Sequence, residues 1–398
     1  MTHSTPDPAL TYVLGGPFKA TQPLTPFDDL VCDFLAEFSA DLRKHPLVSD
    51  HNDLAALSFW CRRANLNRIK QDFDRGDTRL GLGVVFHIAP SNVPVNFFYS
   101  YVFGLLAGNA NVVRLPSAQT PQEDIICDVL KGLFADDRFS LIRAMTAFVR
   151  YPHNDEVTGD FSRHCDARVI WGGDATIADI RRLPVPVRAT EIAFADRYSF
   201  CVMNDQALVT LGEAELGRLA EGFYNDTYLM DQNACSSPHL IVWLGGAGEG
   251  AERFWAALSK IVEQKYDLAP VHAVDKYTDL LARLITLECI EELVRHGNGV
   301  YRLKLSELPV DIDAQQGRFG TFLEYATGDF DDVLPVINNK YQTLTYFGID
   351  KTELNNFILE KKPSGIDRIV PVGRALDIDV NWDGMNVLQN LSRLISVS

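Results

Sequence analysis

The stretch from Gly83 to Leu115 decides the fold, and it reads GVVFHIAPSNVPVNFFYSYVFGLLAGNANVVRL. Its apolar run at 84–88 predicts a strand, residues 94–107 predict a buried helix, and residues 111–115 predict a second strand. A strand, a helix and a strand in this order form a βαβ unit, which covers one face of a parallel sheet. The sequence therefore predicts an α/β protein built around this unit.

Similar elements follow along the chain. Thr120, Pro121 and Glu123 are typical of a helix start, with Thr120 as the N-cap, Pro121 in the first turn and Glu123 closing a capping box. Amphipathic helices are predicted within 27–73, strands at 147–151, 168–171 and 200–203, and a helix at 174–182. A second run of alternating elements is predicted at 211–221, 240–244, 251–265, 278–296, 301–303, 319–325 and 341–347.

Composition excludes several classes of function. The chain has 398 residues, of which 46% are hydrophobic, enough for a packed core in two or three lobes. A formal net charge of −16 gives no basic excess for nucleic acid. The N-terminus has no features of a signal peptide, and the most apolar stretch, 97–108, is shorter than the roughly 20 residues of a membrane span.

The cysteines indicate a compartment and a candidate nucleophile. Seven cysteines without paired spacing favour a reducing cytoplasm over a disulfide framework, and no CxxC or CxxH pair indicates a zinc site. Cys235 differs from the other six, because it lies in a loop of small and polar residues, Asp231 to His239, just before an apolar run. A thiol in such a loop is accessible for reaction as a thiolate.

Several motifs carry a family resemblance, in the order in which they occur along the chain. They are the segment 81–117, which begins GLGVVFHIAPSNVP (81–94) and ends RLPS (114–117), then WGGD (171–174), EIAFADRYS (191–199), NAC (233–235), QTLTYFG (342–348), DRIVPVG (367–373) and WDG (382–384). Together they resemble the aldehyde dehydrogenase superfamily and, within it, the LuxC-type fatty acyl reductases of bacterial bioluminescence and their acyl-CoA reductase relatives. The resemblance implies a Rossmann-type cofactor domain plus an α/β catalytic domain. We expect an N-terminal arm at 1–25, a cofactor domain at 26–205, a catalytic domain at 206–344 and a returning segment at 345–398.

The resemblance also implies catalytic roles. Cys235 matches the nucleophile that holds the acyl group as a thioester. Asn92 matches an amide that stabilises the oxyanion together with the Cys235 N–H, although an Asn after a strand is also a common turn residue. Glu191 matches the general base, against the alternative of a solvated carboxylate, and His239 is a reserve candidate for that role.

The implied cofactor is NADPH. Arg114 stands where the superfamily has a lysine for the adenosine ribose, and Ser117 stands where NAD-preferring members have a glutamate, so a 2′-phosphate would meet a cation and no carboxylate. A surface arginine and a turn serine are the alternative. The remaining predicted cofactor contacts are Pro90, Ser91, Gly172, Gly173 and Asp174, the last three forming a turn at a helix N-terminus. One position departs from the family, since Gly317 replaces a glutamate that holds the nicotinamide ribose.

These expectations combine into one predicted reaction. An activated fatty acyl group, carried by CoA, an acyl carrier protein or another acyl-protein, acylates Cys235 and is reduced to an aldehyde. The alternatives are an aldehyde dehydrogenase that uses Glu191 to activate water, and a non-catalytic scaffold for an acyl-activating partner. The resemblance further implies an acyl-protein synthetase as partner and a homo-oligomer.

Overall fold

The computed structural model describes residues 10–17, 22–73, 76–90 and 93–397. Its helices are α1 (Asp29–Lys44), α2 (Asn52–Trp60), α3 (Arg63–Phe73), α4 (Asn96–Leu106), α5 (Pro121–Phe134), α6 (Ser140–Ala144), α7 (Asp155–Arg163), α8 (Asp174–Arg181), α9 (Asp205–Val209), α10 (Glu213–Thr227), α11 (Glu249–Lys265), α12 (Pro270–Thr286), α13 (Lys351–Lys361) and α14 (Val387–Asn390). Within these described residues, none of the helices is both long and apolar enough to cross a membrane.

The strands complete the element order. They are β1 (Thr11–Gly15), β2 (Arg79–Gly81), β3 (Val84–Ile88), β4 (Ala110–Arg114), β5 (Thr146–Arg150), β6 (Ala167–Trp171), β7 (Thr190–Phe194), β8 (Tyr198–Asn204), β9 (Pro238–Leu244), β10 (Ile290–His296), β11 (Val300–Leu305), β12 (Thr321–Thr327), β13 (Tyr341–Phe347), β14 (Arg368–Pro371), β15 (Asn381–Trp382), β16 (Met385–Asn386) and β17 (Ser392–Leu394). The chain divides into two compact units, one of Met1–Ala195 with Val380–Ser398 and one of Asp196–Asp379.

The first unit contains a six-stranded sheet in the order β1-β5-β4-β3-β6-β7. Its strands are parallel except β1, which pairs antiparallel with β5. The chain builds outward from β3 through β4 to β5, and then returns to the other side of β3 for β6 and β7. The strand order thus reverses beside β3, and in open α/β sheets ligands bind at the carboxyl ends of the strands where this reversal occurs.

The predicted βαβ unit is present as β3, α4 and β4. Helix α4 is buried from Phe97 to Leu106, as its uninterrupted apolar sequence predicts. The predicted start of α5 is also present, since the Thr120 side chain accepts a hydrogen bond from the Glu123 N–H at 3.2 Å. The Glu123 carboxylate itself pairs with Arg150.

The second unit contains a seven-stranded sheet in the order β10-β11-β12-β9-β8-β13-β14. Only the β10–β11 pair is antiparallel. Alternate residues of β8 and β9 enter two separate apolar clusters: Phe200 and Val202 pack in one, and Cys201 and Met203 in the other. This alternation places a core on both faces of the sheet, as expected for a buried parallel sheet.

Three expectations differ from the observed organisation. Strand β8 pairs with β9 and β13, so the second unit begins at Asp196, ten residues before the expected boundary after residue 205. Strand β14 extends the same sheet, so only the segment from Val380 returns to the first unit. The span 278–296, expected as one element, is the end of α12 and then β10. Much of the expected N-terminal arm lies outside the described residues, and Thr11–Gly15 forms β1.

Candidate active site

Cys235 is distinguished from the other cysteines by its exposure. The thiols at 32, 61, 127, 165, 201 and 289 are buried, whereas Cys235 is half-buried. Burial raises the pKa of the Cys61 and Cys201 thiols, which keeps them protonated. Among the seven thiols, Cys235 is therefore the one that a substrate carbonyl can reach.

The loop that carries Cys235 is held by the buried side chain of Gln232. The Gln232 Nε2 donates to the backbone oxygens of Pro238 and Thr321, at 3.0 and 3.1 Å. Its Oε1 accepts the N–H groups of Gly320 and Thr321, both at 3.1 Å. Asp231 and Gln232 both have left-handed backbones, with φ of 51° and 62°. Four hydrogen bonds offset the cost of this backbone, which for a non-glycine residue is of order 1 kcal/mol.

Two polar groups and one cation surround Cys235. The Gln342 Nε2 donates to the Cys235 Sγ at 3.5 Å, and the Ser199 Oγ donates to the Cys235 backbone oxygen at 2.7 Å. Arg368, on β14, interacts electrostatically with Cys235 while it donates to backbone oxygens of the 374–377 turn. A hydrogen-bond donor and a nearby positive charge both favour the thiolate over the thiol.

Sequence reasoning did not assign these three residues. Gln342 and Arg368 lie inside segments that carry the family resemblance, but neither spacing nor composition indicates that β13 and β14 bring them to a thiol more than 100 residues earlier. Only the sheet order explains the meeting, since β8, β13 and β14 are neighbours in the second unit.

The two histidines near the motifs are buried. Burial and, to a smaller degree, the charge of Arg283 lower the pKa of His239 to about 4. A proton transfer from a thiol to such an imidazole is strongly unfavourable, so the geometry does not favour His239 as the base. His87 hydrogen-bonds to Ser100 and Asn111, and burial lowers its pKa to about 4 as well, as expected of a packing histidine.

Glu191 lies on β7 between two arginines. Its Oε2 accepts from the Arg168 Nε at 2.9 Å, and its Oε1 accepts from the Arg181 Nε at 2.7 Å. Burial alone would raise the pKa of Glu191, but the hydrogen bonds from Arg181 and Arg168 outweigh this effect and lower it. Glu191 pairs in register with Arg168 near the amino ends of β6 and β7. This placement favours a fixed ion pair, and the general-base role of Glu191 stays a prediction.

The expected cofactor residues gather at the carboxyl edge of the first sheet. Pro90 follows β3, Arg114 ends β4, and Gly172 and Gly173 follow β6, beside the point where the strand order reverses. Gly173 is the N-cap of α8 and Asp174 is the first residue of that helix. Among the described residues, no atom lies within 4 Å of the position that a Cβ on Gly173 would take. Ser91 and Asn92 lie outside the described residues.

Arg114 has a fixed side chain and features that suit a ligand-binding cation. Its guanidinium carbon lies 4.7 Å from the centre of the Tyr151 ring, which fixes the plane of the side chain. Its buried Nε has no hydrogen-bond partner among the described residues. Ser117 is exposed three residues later. A guanidinium whose Nε has no partner among the described residues, at a switch-point edge that also carries the N-terminus of α8, fits a phosphate-bearing dinucleotide.

The departure at Gly317 has a steric explanation. A Cβ at residue 317 would lie 1.9 Å from the Thr321 backbone oxygen, so this turn has no room for the glutamate that the wider superfamily carries. The same turn continues into Phe319 and Gly320, which have left-handed backbones with φ of 55° and 78°.

Comparisons with solved structures agree with the fold. The protein is similar to a NAD-dependent benzaldehyde dehydrogenase from Corynebacterium glutamicum, with a TM-score of 0.61, 12% identity and coverage of 96% of this chain and 95% of the other. An acetylating aldehyde dehydrogenase from Geobacillus thermoglucosidasius gives a TM-score of 0.59 at 11% identity, with coverage of 93% and 92%. These similarities confirm the expected aldehyde dehydrogenase-like fold.

Sequence comparisons identify the family. The long-chain acyl-protein thioester reductase of Vibrio harveyi is 25% identical over 324 residues, which are 79% of this chain and 64% of that protein. The chain thus spans somewhat less than two thirds of this relative. The family model described as acyl-CoA reductase (LuxC) matches residues 58–394, which include the loop of Cys235, the second sheet and every strand of the first sheet except β1. The protein therefore belongs to the acyl-CoA reductase (LuxC) family.

Proposed function

We propose that this protein reduces an acyl thioester to an aldehyde through a covalent thioester on Cys235. The observation that carries the proposal is the half-buried Cys235 thiol, which receives the Gln342 N–H in a loop held by Gln232. The family match and the thioester reductase of Vibrio harveyi support the same chemistry.

The first half of the reaction transfers the acyl group. The Cys235 thiolate attacks the carbonyl carbon of the acyl donor, the bond between that carbon and the donor sulfur breaks, and the donor leaves as a thiolate. The Gln342 N–H and the charge of Arg368 stabilise the attacking Cys235 thiolate. The Cys235 N–H, with the amide of Asn92 as its proposed partner, donates to the oxyanion, and one such donor typically contributes about 3 kcal/mol in the transition state.

The second half releases the aldehyde. When bound, a reduced nicotinamide supplies a hydride to the carbonyl carbon of the thioester. The bond between that carbon and the Cys235 Sγ then breaks, the aldehyde departs, and the Cys235 thiolate is regenerated. Gln342 and Arg368 favour this departure because both stabilise negative charge on sulfur. They favour formation of the attacking thiolate for the same reason.

We infer NADPH as the cofactor from the carboxyl edge of the first sheet. Arg114 offers a fixed cation with an unsatisfied Nε, and Ser117 brings no carboxylate against a 2′-phosphate. Gly173 and the N-terminus of α8 would hold the pyrophosphate. Pro90, Ser91, Gly172 and Asp174 are proposed to line the same edge.

The geometry favours reduction over oxidation of an aldehyde to an acid. Oxidation needs a carboxylate that can take a proton from water, and both oxygens of Glu191 are engaged by Arg168 and Arg181. A carboxylate held by two guanidinium groups is a weak base. Reduction of the acyl-enzyme needs no activated water, so this pairing does not oppose it.

The acyl donor is proposed to be a thioester of CoA or of a protein. The Vibrio harveyi relative acts, by its name, on long-chain acyl-protein thioesters, and an acyl-protein synthetase would be the matching partner. We further propose a cytoplasmic homo-oligomer.

NADPH oxidation against a panel of acyl-CoAs and acyl-carrier proteins, with the aldehyde detected as product, tests the reaction. Aldehyde should form with wild-type protein and not with Cys235→Ser. Turnover in Cys235→Ser would contradict the proposed nucleophile. The absence of aldehyde from every acyl thioester, in the presence of bound NADPH, would favour the scaffold alternative.

A further inference from the structure

Lys276, on the inner side of α12, is a buried cation whose ammonium group has no carboxylate partner among the residues that the structure describes. Its side chain is 2% exposed. Four backbone oxygens lie within hydrogen-bonding distance of the Nζ and share its three N–H groups, those of Asn298 at 2.8 Å, Gly299 at 3.0 Å, Phe319 at 2.6 Å and Gly320 at 3.2 Å. A single ammonium group thereby joins α12, the turn between β10 and β11, and the turn that precedes β12.

The surroundings of the ammonium combine two influences that favour its charged form and two that oppose it. The Nζ lies 4.0 Å from the centre of the Tyr301 ring, whose face attracts a cation. Burial and the charge of Arg295 lower the pKa of Lys276 to about 7. The four carbonyl oxygens favour the charged form, since an ammonium group donates to them more strongly than a neutral amine does.

The turn at Phe319 and Gly320 lies between Lys276 and the loop of Cys235. The carbonyl oxygens of this turn face the ammonium, while its N–H groups point to the loop: Phe319 donates to the Asp231 oxygen at 3.1 Å and Gly320 to the Gln232 Oε1 at 3.1 Å. Phe319 has a left-handed backbone, with φ of 55°, which external contacts must maintain. Cys235 is three residues after Gln232.

We propose that Lys276 is a positioning residue for the nucleophile, because its ammonium fixes the Phe319–Gly320 turn and that turn fixes Gln232 and the loop of Cys235. The inference rests on the proposed function only in taking Cys235 as the nucleophile. Lys276 touches neither the thiol nor a substrate in this arrangement. Its effect is to hold this turn through the Phe319 and Gly320 oxygens, of which the Gly320 oxygen also accepts the Tyr301 N–H at 2.9 Å.

The test is the rate at which Cys235 is acylated by a long-chain acyl-CoA in the absence of reduced cofactor, followed by mass spectrometry of the Cys235 peptide. Lys276→Ala should acylate about a hundredfold more slowly, which is the loss typical of a reacting group displaced by about 1 Å. Propylammonium, which replaces the three carbons and the nitrogen that Lys276→Ala removes, should restore much of the rate. Tetramethylammonium, which carries the charge without N–H donors, should not.

A matched control separates positioning from general damage to α12. Leu280, four residues after Lys276 and 1% exposed, packs in the apolar core, so Leu280→Ala destabilises the same helix without removing the ammonium. Folded Leu280→Ala should acylate at nearly the wild-type rate. An equal loss in Leu280→Ala, or a loss in Lys276→Ala that propylammonium does not reverse, would overturn the positioning role.

A second variant covers the case in which Lys276→Ala does not fold. Gln232→Met breaks the same connection at its other end and should slow acylation to a similar degree. Where both variants fold, the double variant should be little slower than either single one, because both remove one connection. Wild-type acylation rates in Lys276→Ala, or in Gln232→Met where only that variant folds, would refute the inference. Absence of acylation in the wild-type protein would instead contradict the proposed function.

Discussion

The hydrogen bond from Gln342 to Cys235 predicts how much more slowly Cys235 should react once this bond is removed. Gln342→Met keeps the length of the side chain and removes the N–H that lies 3.5 Å from the Cys235 Sγ. A hydrogen bond to a charged group contributes about 1.5–3 kcal/mol, and the long contact to a half-exposed sulfur indicates the lower end of this range. Since about 1.4 kcal/mol corresponds to a factor of ten, Cys235 should react about tenfold more slowly at pH 7.

The assay is the rate of iodoacetamide alkylation at the Cys235 peptide, measured from pH 6 to 10. The wild-type and Gln342→Met curves should differ at pH 7 and converge at high pH, where every Cys235 is a thiolate. Thr345→Val is the matched control, because Thr345 lies on the same strand, is buried, and donates to the Phe200 oxygen. Coincident curves for wild type and Gln342→Met would refute the role of this amide in stabilising the thiolate.

Three further predictions concern charged residues away from the thiol. Glu191→Gln should lower the melting temperature, because its ion pairs with two arginines are lost, while the rate of acyl-CoA reduction stays within about threefold of wild type. A thousandfold loss of rate would instead support Glu191 as a catalytic base. Arg114→Ala should weaken NADPH binding much more than NADH binding, as measured by fluorescence titration, and equal losses would remove Arg114 from 2′-phosphate recognition. Burial raises the pKa of Asp226 to about 7. This effect outweighs the hydrogen bonds that the Asp226 carboxylate accepts from the Gly373 and Ala375 N–H groups, which lower the pKa. Because the unfolded carboxyl releases its proton at lower pH, this group alone should reduce the free energy of unfolding by about 2 kcal/mol from pH 5 to pH 7. Urea unfolding of Asp226→Asn should lack this decrease, and parallel curves for the two proteins would contradict it.

The sequence predicted the local elements of the first sheet well, because each is specified by its own residues. The apolar run of β3, the buried helix α4 and the Thr120 cap depend on contacts between near neighbours in the chain. The prediction of a single element at 278–296 was wrong, because α12 and β10 both carry charged residues and only three residues separate them. Such a short connection leaves little signal between a helix and a strand.

The chemistry around Cys235 could be predicted only in part. The small and polar residues around Cys235 predicted it as the nucleophile, and the family match is consistent with this prediction. Gln342 and Arg368 come close to the loop through the order of strands in the second sheet, and Lys276 reaches the supporting turn from helix α12. The local sequence encodes neither arrangement. Glu191 was predicted as the general base from its motif. The motif could not indicate that Arg168, which lies opposite Glu191 on the adjacent strand β6, engages its carboxylate.

The covalent intermediate on Cys235 tests the central claim most directly. Incubation with a long-chain acyl-CoA and no reduced cofactor should add one acyl mass to the peptide that contains Cys235, and NADPH should then discharge it as the aldehyde. Cys235→Ser should take up no acyl group and still bind NADPH, because a serine hydroxyl is a weak nucleophile at neutral pH. An acyl label on a different cysteine, or aldehyde formation without any label on Cys235, would contradict the account.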